Sequence, residues 1–449
     1  MKEIRPTNVC LLSPPGRSAV AMIGVVGPSA TRVVESQFYP AAPALRSPRG
    51  NLKWSRETEH RLRGNQEVTR ILFGRWGGLQ GEEVVVCRRL LPKAKTSCDE
   101  AQYVEVHCHG GQQAAQRIID SLVAENCQVI RWEEWTRQQS LDLLQAEARI
   151  GLAAALTQRT AAILLDQYQG ALRREIEALK EQIVTCRDNP EGSCTNPAKK
   201  ITALLSRLNL GNHLTRPWQI LLAGRPNVGK SSLMNALVGY ARSIVFDQPG
   251  TTRDILSATT AMAGWPVQLN DTAGLHEASD PIELQGIGRA LEQFSQADLL
   301  VWVLDWTVLS QTVSTASFEG ALQLAQQEIA DVRQYFPAEL PILVVLNKVD
   351  LAGKNEADTK DGGLLSECLK EAPFPIPAIA NLVPTSATTG EGVELLVATM
   401  VAHLIPHPPT AGEGIPFNDR QQQLLQQASC QLEQANLQQA IATLDEVLG

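Results

Sequence analysis

A glycine-rich segment at residues 224–231, GRPNVGKS, fits the pattern G-x-x-x-x-G-K-[ST] of a phosphate-binding loop. It follows the apolar run ILLA and opens the helix-like stretch SLMNALVG, so it stands between a strand and a helix. Glycines let backbone N–H groups curl around a phosphate, and the helix N-terminus adds positive potential. We expect Lys230 to neutralise β- and γ-phosphates and the Ser231 hydroxyl to bind Mg²⁺. The alternative, a strand–helix turn that binds nothing, is opposed by the motifs that follow.

Three further motifs come after strand-like runs. Asp271 opens DTAG, where a carboxylate can hold a Mg²⁺-bound water and the Gly274 amide can meet a γ-phosphate. Residues 347–350, NKVD, close the run ILVVL, and Asp350 can accept two hydrogen bonds from N1–H and the exocyclic amine of guanine. Adenine lacks this donor pair and would leave a buried carboxylate unpaired. Residues 386–388, SAT, suit a backbone contact to guanine O6. The sequence therefore predicts a site that selects GTP over ATP.

The residues available for hydrolysis differ from those of small signalling GTPases. Those proteins place a water-orienting Gln directly after DxxG, where this chain has Leu275, which cannot hydrogen-bond water. Glu277, Asp280 and Glu283 follow in a loop that could fold over the γ-phosphate, and a solvated acidic loop is the alternative interpretation. No arginine finger is evident. The side-chain oxygen of Asn227 could instead hold a monovalent cation near the phosphates.

The pattern of apolar runs predicts the elements that position these motifs. Between residues 140 and 184 apolar residues recur at helical spacing, which predicts one long helix or a helical hairpin. After Arg216, short apolar runs alternate with amphipathic stretches, which predicts a mostly parallel sheet covered by helices. These predicted strands are 219–223, 267–269, 298–304, 342–346 and 378–384. The tail from residue 418 returns to a helical period.

The predicted fold class is an α/β P-loop GTPase domain inserted in an α-helical domain and preceded by a smaller α+β N-terminal domain. Breaks at 186–200 and at the Pro- and Gly-rich, flexible linker 406–416 separate the segments, and 39–65 reads as an irregular loop. The expected domains are an N-terminal domain at 1–136, the two helical parts at 137–214 and 406–449, and the GTPase domain at 215–405.

Composition narrows the class of protein. With 449 residues, 44% of them hydrophobic, the chain can form several packed domains, and disordered or fibrous classes are excluded. The formal charge of -8 restricts any nucleic-acid contact to local patches. No run is long enough to span a membrane and no secretory signal is recognisable, so a cytoplasmic location is expected. The 9 cysteines include no Cys-x-x-Cys pair, which argues against a disulfide framework and a zinc site. His107 and His109 flank Cys108, but alternation puts both on one strand face without a second ligand pair, so zinc is not expected there either.

The order of these motifs resembles the tRNA modification GTPase MnmE (TrmE) family. Strings at 13–17 (SPPGR), 104–111 (VEVHCHGG), 141–148 (LDLLQAEA) and 250–254 (GTTRD) match the family's own. The resemblance implies that Thr252 is the second protein ligand of Mg²⁺, and that Glu283 orients the attacking water. It also implies a K⁺ that drives GTPase-domain dimerisation, with ligands at Asn227, Phe246, Gln248 and Thr251. Together with Lys230 as a catalytic residue, the predicted GTP contacts are Asn227, Val228, Gly229, Lys230, Ser231, Ser232, Thr251, Thr252, Asp271, Gly274, Asn347, Lys348, Asp350, Ser386 and Ala387.

The resemblance further implies a homodimer that works with an MnmG-like flavoprotein on the wobble uridine of certain tRNAs, with a tetrahydrofolate one-carbon donor. It implies folate-like binding and dimerisation for the domain at 1–136. Arg17 and Glu105 are the folate-like contacts that can be aligned, whereas Gly24 and Ser140 replace an Arg and a Lys usual in the family. No terminal Cys motif precedes Gly449, and Cys430 is expected to be a packed helix residue. Two functions stay open: a GTPase of tRNA wobble-uridine modification, or a GTPase switch or ribosome/RNA assembly factor without that chemistry.

Overall fold

The computed structural model describes residues 6–14, 18–42, 70–89, 102–140, 142–188, 197–240, 257–271, 296–308, 327–330, 340–351 and 380–449. Contacts divide the chain into two compact units, Met1–Ile150 and Gly151–Gly449. This division is coarser than the four predicted domain segments, whose boundaries stay a prediction. Within the described ranges, no helix is both long and apolar enough to cross a membrane.

The first unit contains a seven-stranded sheet in the order β3-β4-β5-β6-β2-β1-β7. Its neighbouring strands are antiparallel except for the parallel pair β1 and β7. The strands are β1 (Asn8–Leu11), β2 (Val20–Gly27), β3 (Phe38–Pro40), β4 (Arg70–Trp76), β5 (Glu82–Arg89), β6 (Gln102–His109) and β7 (Gln128–Val129).

Helices cover both faces of this sheet. Helices α1 (Ala30–Gln37) and α2 (Gln112–Ala124) pack on one face, where alternating side chains such as Ile23 and Val25 form the core. Helix α3 (Trp132–Gln139) contributes Trp135 to a smaller apolar cluster with Cys10 and Val26 on the other face. Because the side chains of β2 alternate between the two faces of the sheet, this strand contributes to both apolar clusters.

A run of helices follows the first sheet, and the boundary between the two units, after Ile150, falls within the first of these helices. The chain forms α4 (Leu143–Ala154), α5 (Gln158–Tyr168), α6 (Ala171–Asp188), α7 (Pro197–Leu205) and α8 (Leu208–Asn212). The prediction of one long helix or a hairpin over 140–184 is wrong, because the chain breaks twice there. Thr157 starts α5 with a capping box that includes Thr160, and Gly170, with φ 91°, separates α5 from α6.

The helices are followed by a six-stranded sheet in the order β13-β12-β11-β8-β10-β9, parallel except at its β9 edge. The strands are β8 (Trp218–Ala223), β9 (Ser257–Met262), β10 (Trp265–Asp271), β11 (Leu299–Asp305), β12 (Ile342–Asn347) and β13 (Ala380–Pro384). Strands β11 and β12 are buried at every residue, as expected for parallel strands covered on both faces. The α/β P-loop domain is thus confirmed, with an antiparallel edge strand, β9, that the apolar pattern did not indicate.

Helices α9 (Lys230–Tyr240) and α10 (Val393–Leu404) belong to this sheet domain, and α11 (Asp419–Glu433) and α12 (Leu437–Leu448) end the chain. Helix α11 packs against α7, and α12 packs against α6. The helices before and after the sheet are therefore in direct contact. Asn418 caps α11 by accepting a hydrogen bond from the Gln421 amide.

The predicted flexible linker is docked at residues 412–417, and the expectation of flexibility there is wrong. The backbone amides of Gly412 and Gly414 donate to Asp166 Oδ2 (2.8 Å) and Glu175 Oε1 (2.6 Å). Between them, the Glu413 carbonyl accepts from Gln167 Nε2 at 2.9 Å. Side chains on α5 and α6 thus fix the backbone that glycine composition alone left mobile.

The cysteines of the described residues differ in their environment. Cys10, Cys87, Cys108 and Cys127 are buried and form no disulfide, and burial raises the pKa of Cys10 to about 12 and that of Cys108 to about 11. Cys430 is exposed, so the expectation that it packs inside is wrong: the buried face of α11 carries residues such as Leu425 and Ala428. Cys186, near the end of α6, is disulfide-bonded, although the cysteine spacing argues against a disulfide framework.

Candidate functional site

The phosphate loop joins the carboxyl end of β8 to the start of α9, as its motif predicts. Gly224 and Gly229 have φ of +142° and +94°, and a Cβ at these positions would collide with the Val303 carbonyl and the Asn347 side chain. Asn227 adopts φ 64°, a left-handed conformation that asparagine tolerates. The loop therefore depends on glycine at the two points where neighbouring strand ends approach its backbone.

Lys230 is buried at the base of this loop. Its Nζ donates to the carbonyls of Gly224 and Arg225, each at 3.0 Å. Burial lowers the pKa of Lys230, and the nearby Asp271 carboxylate opposes this effect. The loop carbonyls hold the ammonium where phosphate oxygens could replace them.

Ser231 and Asp271 meet beside the loop. Ser231 Oγ donates a 2.6 Å hydrogen bond to Asp271 Oδ2, and Asp271 is buried at the end of β10. A hydroxyl and a carboxylate are both hard oxygen donors of the kind Mg²⁺ prefers, so this pair fits a magnesium site. The structure brings together two of the residues that the sequence assigned to the metal.

The base-recognition motifs converge at the ends of β12 and β13. Asn347 Nδ2 donates to the Val228 carbonyl at 3.0 Å, and its Oδ1 accepts from the Ala387 amide at 3.1 Å. Ser386 Oγ donates to Asp350 Oδ1 at 2.7 Å and so orients that carboxylate. Asn347 thereby links the phosphate loop to the segment predicted to contact guanine.

Asp305 is a site residue that sequence reasoning missed. Lys348 Nζ lies 2.7 Å from Asp305 Oδ2 and 2.7 Å from the Asn227 carbonyl, so Asp305 anchors a lysine that also holds the loop. Burial would raise the pKa of Asp305, but hydrogen bonds from Lys348 and Thr307 outweigh burial and lower it. The sequence did contain a signal that could have identified Asp305: this Asp ends an apolar strand-like run, as Asp271 and Asn347 do.

A second unpredicted contact fixes the exposed side of the loop. Arg225 Nε lies 2.6 Å from Glu328 Oε1, and Trp302 Nε1 donates to Glu328 Oε2 at 3.0 Å. The Glu328 side chain is largely buried between its two donors. No local motif marked Glu328, because its partners are distant in sequence.

The remaining predicted residues are placed unevenly. Val228 lies on the loop and is buried, whereas Ser232 lies at the start of α9 and is exposed. Several others lie outside the described residues: Arg17, Phe246, Gln248, Thr251, Thr252, Gly274 and Glu283. The assignments of the second Mg²⁺ ligand, most of the K⁺ ligands and the water-orienting residue accordingly stay predictions.

Comparison with known proteins agrees with this geometry. A model of the 50S ribosome-binding GTPase family matches residues 219–348. A tRNA modification GTPase MnmE of Synechococcus sp. (strain WH7803) is 31% identical, with 97% of this chain and 92% of that protein covered. The Thermotoga petrophila MnmE is 27% identical, with 99% and 95% covered. The chain belongs to the MnmE family.

The resemblance inferred from the sequence is confirmed. This MnmE family member is a GTP hydrolase that binds GTP and Mg²⁺. Among solved structures, the G domain of the T. maritima FeoB iron transporter is 27% identical over 42% of this chain and 99% of that chain, with a TM-score of 0.26. A score that low carries no argument about the fold.

Protein side chains pack closely around Glu105, one of the two predicted folate-like contacts. Glu105 is buried and accepts a 2.7 Å hydrogen bond from the Tyr103 hydroxyl. Gly24 pairs with Glu105 across the strands, and a Cβ on Gly24 would lie 2.6 Å from the Trp135 ring. The Trp135 indole therefore occupies the space above Gly24 that a longer side chain at this position would need.

The two histidines beside Cys108 have carboxylate neighbours. His107 Nε2 lies 3.4 Å from Glu105 Oε2, and His109 Nδ1 lies 2.5 Å from Glu82 Oε1. Among the described residues no group of three or more His, Cys, Asp or Glu side chains could hold a metal ion. Each histidine is thus engaged in a pairwise contact on the sheet.

Proposed function

We propose that this chain hydrolyses GTP in support of wobble-uridine modification of tRNA, of the 5-carboxymethylaminomethyl type, together with an MnmG-like flavoprotein. The convergence of Ser231, Asp271, Asn347 and Asp350 on one edge of a parallel sheet carries the GTPase part of this proposal. The tRNA part is supported by relatives named tRNA modification GTPase MnmE that align with nearly the whole chain. This role would place the chain with its tRNA substrate in the cytoplasm.

For the hydrolysis step we propose that Glu283 orients the attacking water and that K⁺ supplies the charge that an arginine finger supplies elsewhere. Support for the cation comes from Asn227, which is exposed on the phosphate loop while its carbonyl is held by Lys348. Phe246, Gln248 and Thr251 would complete the K⁺ ligands. The same cation would favour association of two GTPase domains in a homodimer.

GTP turnover by the full-length chain tests this step. We expect faster turnover in K⁺ than in Na⁺ at equal ionic strength, and a Glu283→Ala variant about 100-fold slower with nearly unchanged GTP affinity. Glu277→Ala, a change in the same acidic loop, is the matched control and should turn over like the wild type. Equal rates in both salts would remove K⁺ from the mechanism, and a normal rate in Glu283→Ala would remove Glu283.

Nucleoside mass spectrometry of tRNA tests the biological role. In a strain that lacks this chain, the modified wobble uridine should be lost, and it should return when the wild type, but not Asp350→Asn, is supplied. Unchanged modification in the deletion strain would refute the tRNA proposal. It would leave GTP hydrolysis by the purified chain untouched.

A second function is a GTP-driven switch or a ribosome/RNA assembly factor that has lost the modification chemistry. The Trp135 ring above Gly24 favours it, because the ring fills the space that the Arg usual at this position in the family would need. The family model that matches residues 219–348 is described as a 50S ribosome-binding GTPase. GTP-dependent cosedimentation with large ribosomal subunits, without loss of modified uridine in the deletion strain, would support this function over the first.

A further inference from the structure

Strand β10 connects the nucleotide end of the six-stranded sheet to the helices of the same unit. Its last residue, Asp271, accepts the hydrogen bond from Ser231 at the phosphate loop. Its first residue, Trp265, follows the turn that joins β9 to β10. Six residue steps of about 3.3 Å put these ends about 20 Å apart. A shift of β10 along its axis would therefore displace both Asp271 at the phosphate loop and Trp265 at the turn.

The turn at the far end of β10 is held by Arg159 of α5. Arg159 Nη1 donates to the Ala263 carbonyl at 2.9 Å, and its guanidinium carbon lies 4.7 Å from the centroid of the Trp265 ring. The turn residues Ala263 and Gly264 have φ of 47° and 83°, which fits a tight two-residue hairpin with left-handed residues. A Cβ on Gly264 would lie only 3.3 Å from Arg159, so the side chain lies directly against the turn.

The first residues of the neighbouring strands also contact the helical segment, by which we mean α5–α8 and His213 directly after them. His213, directly after α8, stacks on Trp218 with ring centroids 3.7 Å apart. His213 Nε2 lies 3.3 Å from Asp298 Oδ1, just before β11. Because β8, β10 and β11 are parallel, their starts share one edge of the sheet. Of these contacts between the helical segment and the sheet, the one made by Arg159 involves the β9–β10 hairpin.

This hairpin lies between two segments that carry predicted nucleotide-site residues. Thr251 and Thr252, the predicted K⁺ and Mg²⁺ ligands, precede β9 in the sequence, and the segment after Asp271 carries the predicted Gly274 contact to the γ-phosphate. We propose that Arg159 is a positioning residue that transmits the nucleotide state of the GTPase site, through the β9–β10 hairpin, to α5 and the helical segment. The proposal rests on GTP binding at this site and goes beyond hydrolysis itself. Neither a tRNA nor a partner protein is needed for it.

The chemistry of the contact suits such a role. A guanidinium can bond a carbonyl and lie over an indole at the same time, and both interactions depend on ring distance and hydrogen-bond angle. The contact is exposed at Arg159, so it can break and reform without opening a core. Two arrangements of the hairpin would accordingly make different contacts with α5, which is the physical requirement for coupling between sites.

Hydrogen exchange of the full-length chain tests the proposal. Amide exchange in α5 and in β9–β10 would be compared between GDP and guanosine 5′-(β,γ-imido)triphosphate, both with Mg²⁺ and K⁺. In the wild type we expect exchange rates in α5 to differ by at least about fivefold between the two nucleotides. In Arg159→Ala the difference should fall within about twofold while the Kd for each nucleotide stays within about threefold of wild type.

Two further variants separate coupling from stability. Arg174→Ala removes another arginine of the helical segment, whose Nη1 donates to the Gln169 carbonyl at 3.0 Å, and it should behave like the wild type. Arg159→Lys keeps the charge but cannot bond the carbonyl and cover the ring together, so it should give an intermediate difference. A merely structural contact would raise exchange in α5 equally with both nucleotides.

Three results would overturn the proposal: no nucleotide-dependent difference in wild-type α5, a full difference in Arg159→Ala, or an equal loss of protection with both nucleotides. The Kd values report separately whether the GTP site itself has failed. Since the readout is nucleotide state and not uridine modification, a missing tRNA role would leave the proposal standing. Failure of the coupling would likewise leave the tRNA role standing.

Discussion

Asp305 and Lys348 form an ion pair with 2.7 Å between Oδ2 and Nζ, and this pair joins the guanine-recognition motif to the phosphate loop. Lys348 adopts φ 68° and also donates to the Asn227 carbonyl at 2.7 Å. One lysine thus holds two segments that are far apart in sequence. Its orientation depends on a carboxylate at the end of β11 that no motif identified.

Replacing Asp305 by Asn should destabilise the nucleotide-free chain in a pH-dependent way. The folded-state pKa of Asp305 lies below its usual 3.8, so the ionised carboxylate stabilises the fold above that pH. This contribution is lost as pH falls through the folded-state pKa, where wild type and variant converge. At pH 7 we expect a loss of about 2 kcal/mol in the free energy of unfolding, typical of a hydrogen-bonded charge.

Denaturant titrations of both proteins between pH 3 and pH 7 measure this difference. Asp188→Asn is the matched control, because Asp188 pairs with Arg187 on an exposed helix end and its loss should change little. A constant difference across the whole pH range would show that Asp305 acts through packing and not through its charge.

Asp350→Asn should change the base preference of the site. Ser386 Oγ orients the carboxylate from 2.7 Å, and an amide there presents one donor to a guanine edge that offers only donors. GTP affinity should fall about 100-fold or more, and xanthosine triphosphate should become the better ligand. Competition against a fluorescent guanine nucleotide measures both changes.

Glu394→Gln makes the same carboxylate-to-amide change at an exposed position in the first turn of α10 and should leave both affinities unaltered. If Asp350→Asn bound GTP as tightly as the wild type, the assigned contact to guanine would be wrong.

Ser231→Ala should remove the Mg²⁺ dependence of GTP binding. The hydroxyl is one of two hard oxygen groups that meet at 2.6 Å, and alanine leaves Asp271 as the other. We expect GTP turnover to fall about 100-fold or more, and the affinity with Mg²⁺ to approach that measured in a chelator. Ser232→Ala removes the adjacent, exposed hydroxyl but keeps its amide, so its turnover should match the wild type. A strong Mg²⁺ dependence that survives in Ser231→Ala would move the metal elsewhere.

Gly211→Ala should destabilise the second unit by undocking the segment before α11. A Cβ on Gly211 would collide with the Pro416 carbonyl, and both groups are backbone-bound and cannot rotate away. Overpacking of this kind costs about 2 kcal/mol. Gly239→Ala is the control, because a Cβ there meets nothing within 4 Å and alanine favours a helix. Equal midpoints of denaturation for the two variants would contradict the docked arrangement.

Local patterns in the sequence were enough to predict the nucleotide site, because each motif combines a strand end with side chains and glycines that act over a few residues. The loop at 224–231, the carboxylate at Asp271 and the NKVD motif all lie where their flanking strands placed them. Parallel strands bring their carboxyl ends to one edge, so correct strands imply that the motifs meet. Family membership followed from the same strings.

Only the tertiary structure decided which distant side chains complete and surround that site. Asp305, Glu328 and Arg159 act through partners that are far away in the sequence. No periodic pattern in the sequence predicts those pairs. Packing also placed Trp135 over Gly24 and left Cys430 exposed. The reason is physical: a motif carries its own hydrogen-bonding chemistry, whereas burial, ion pairing and backbone docking depend on which surfaces meet after the chain has folded.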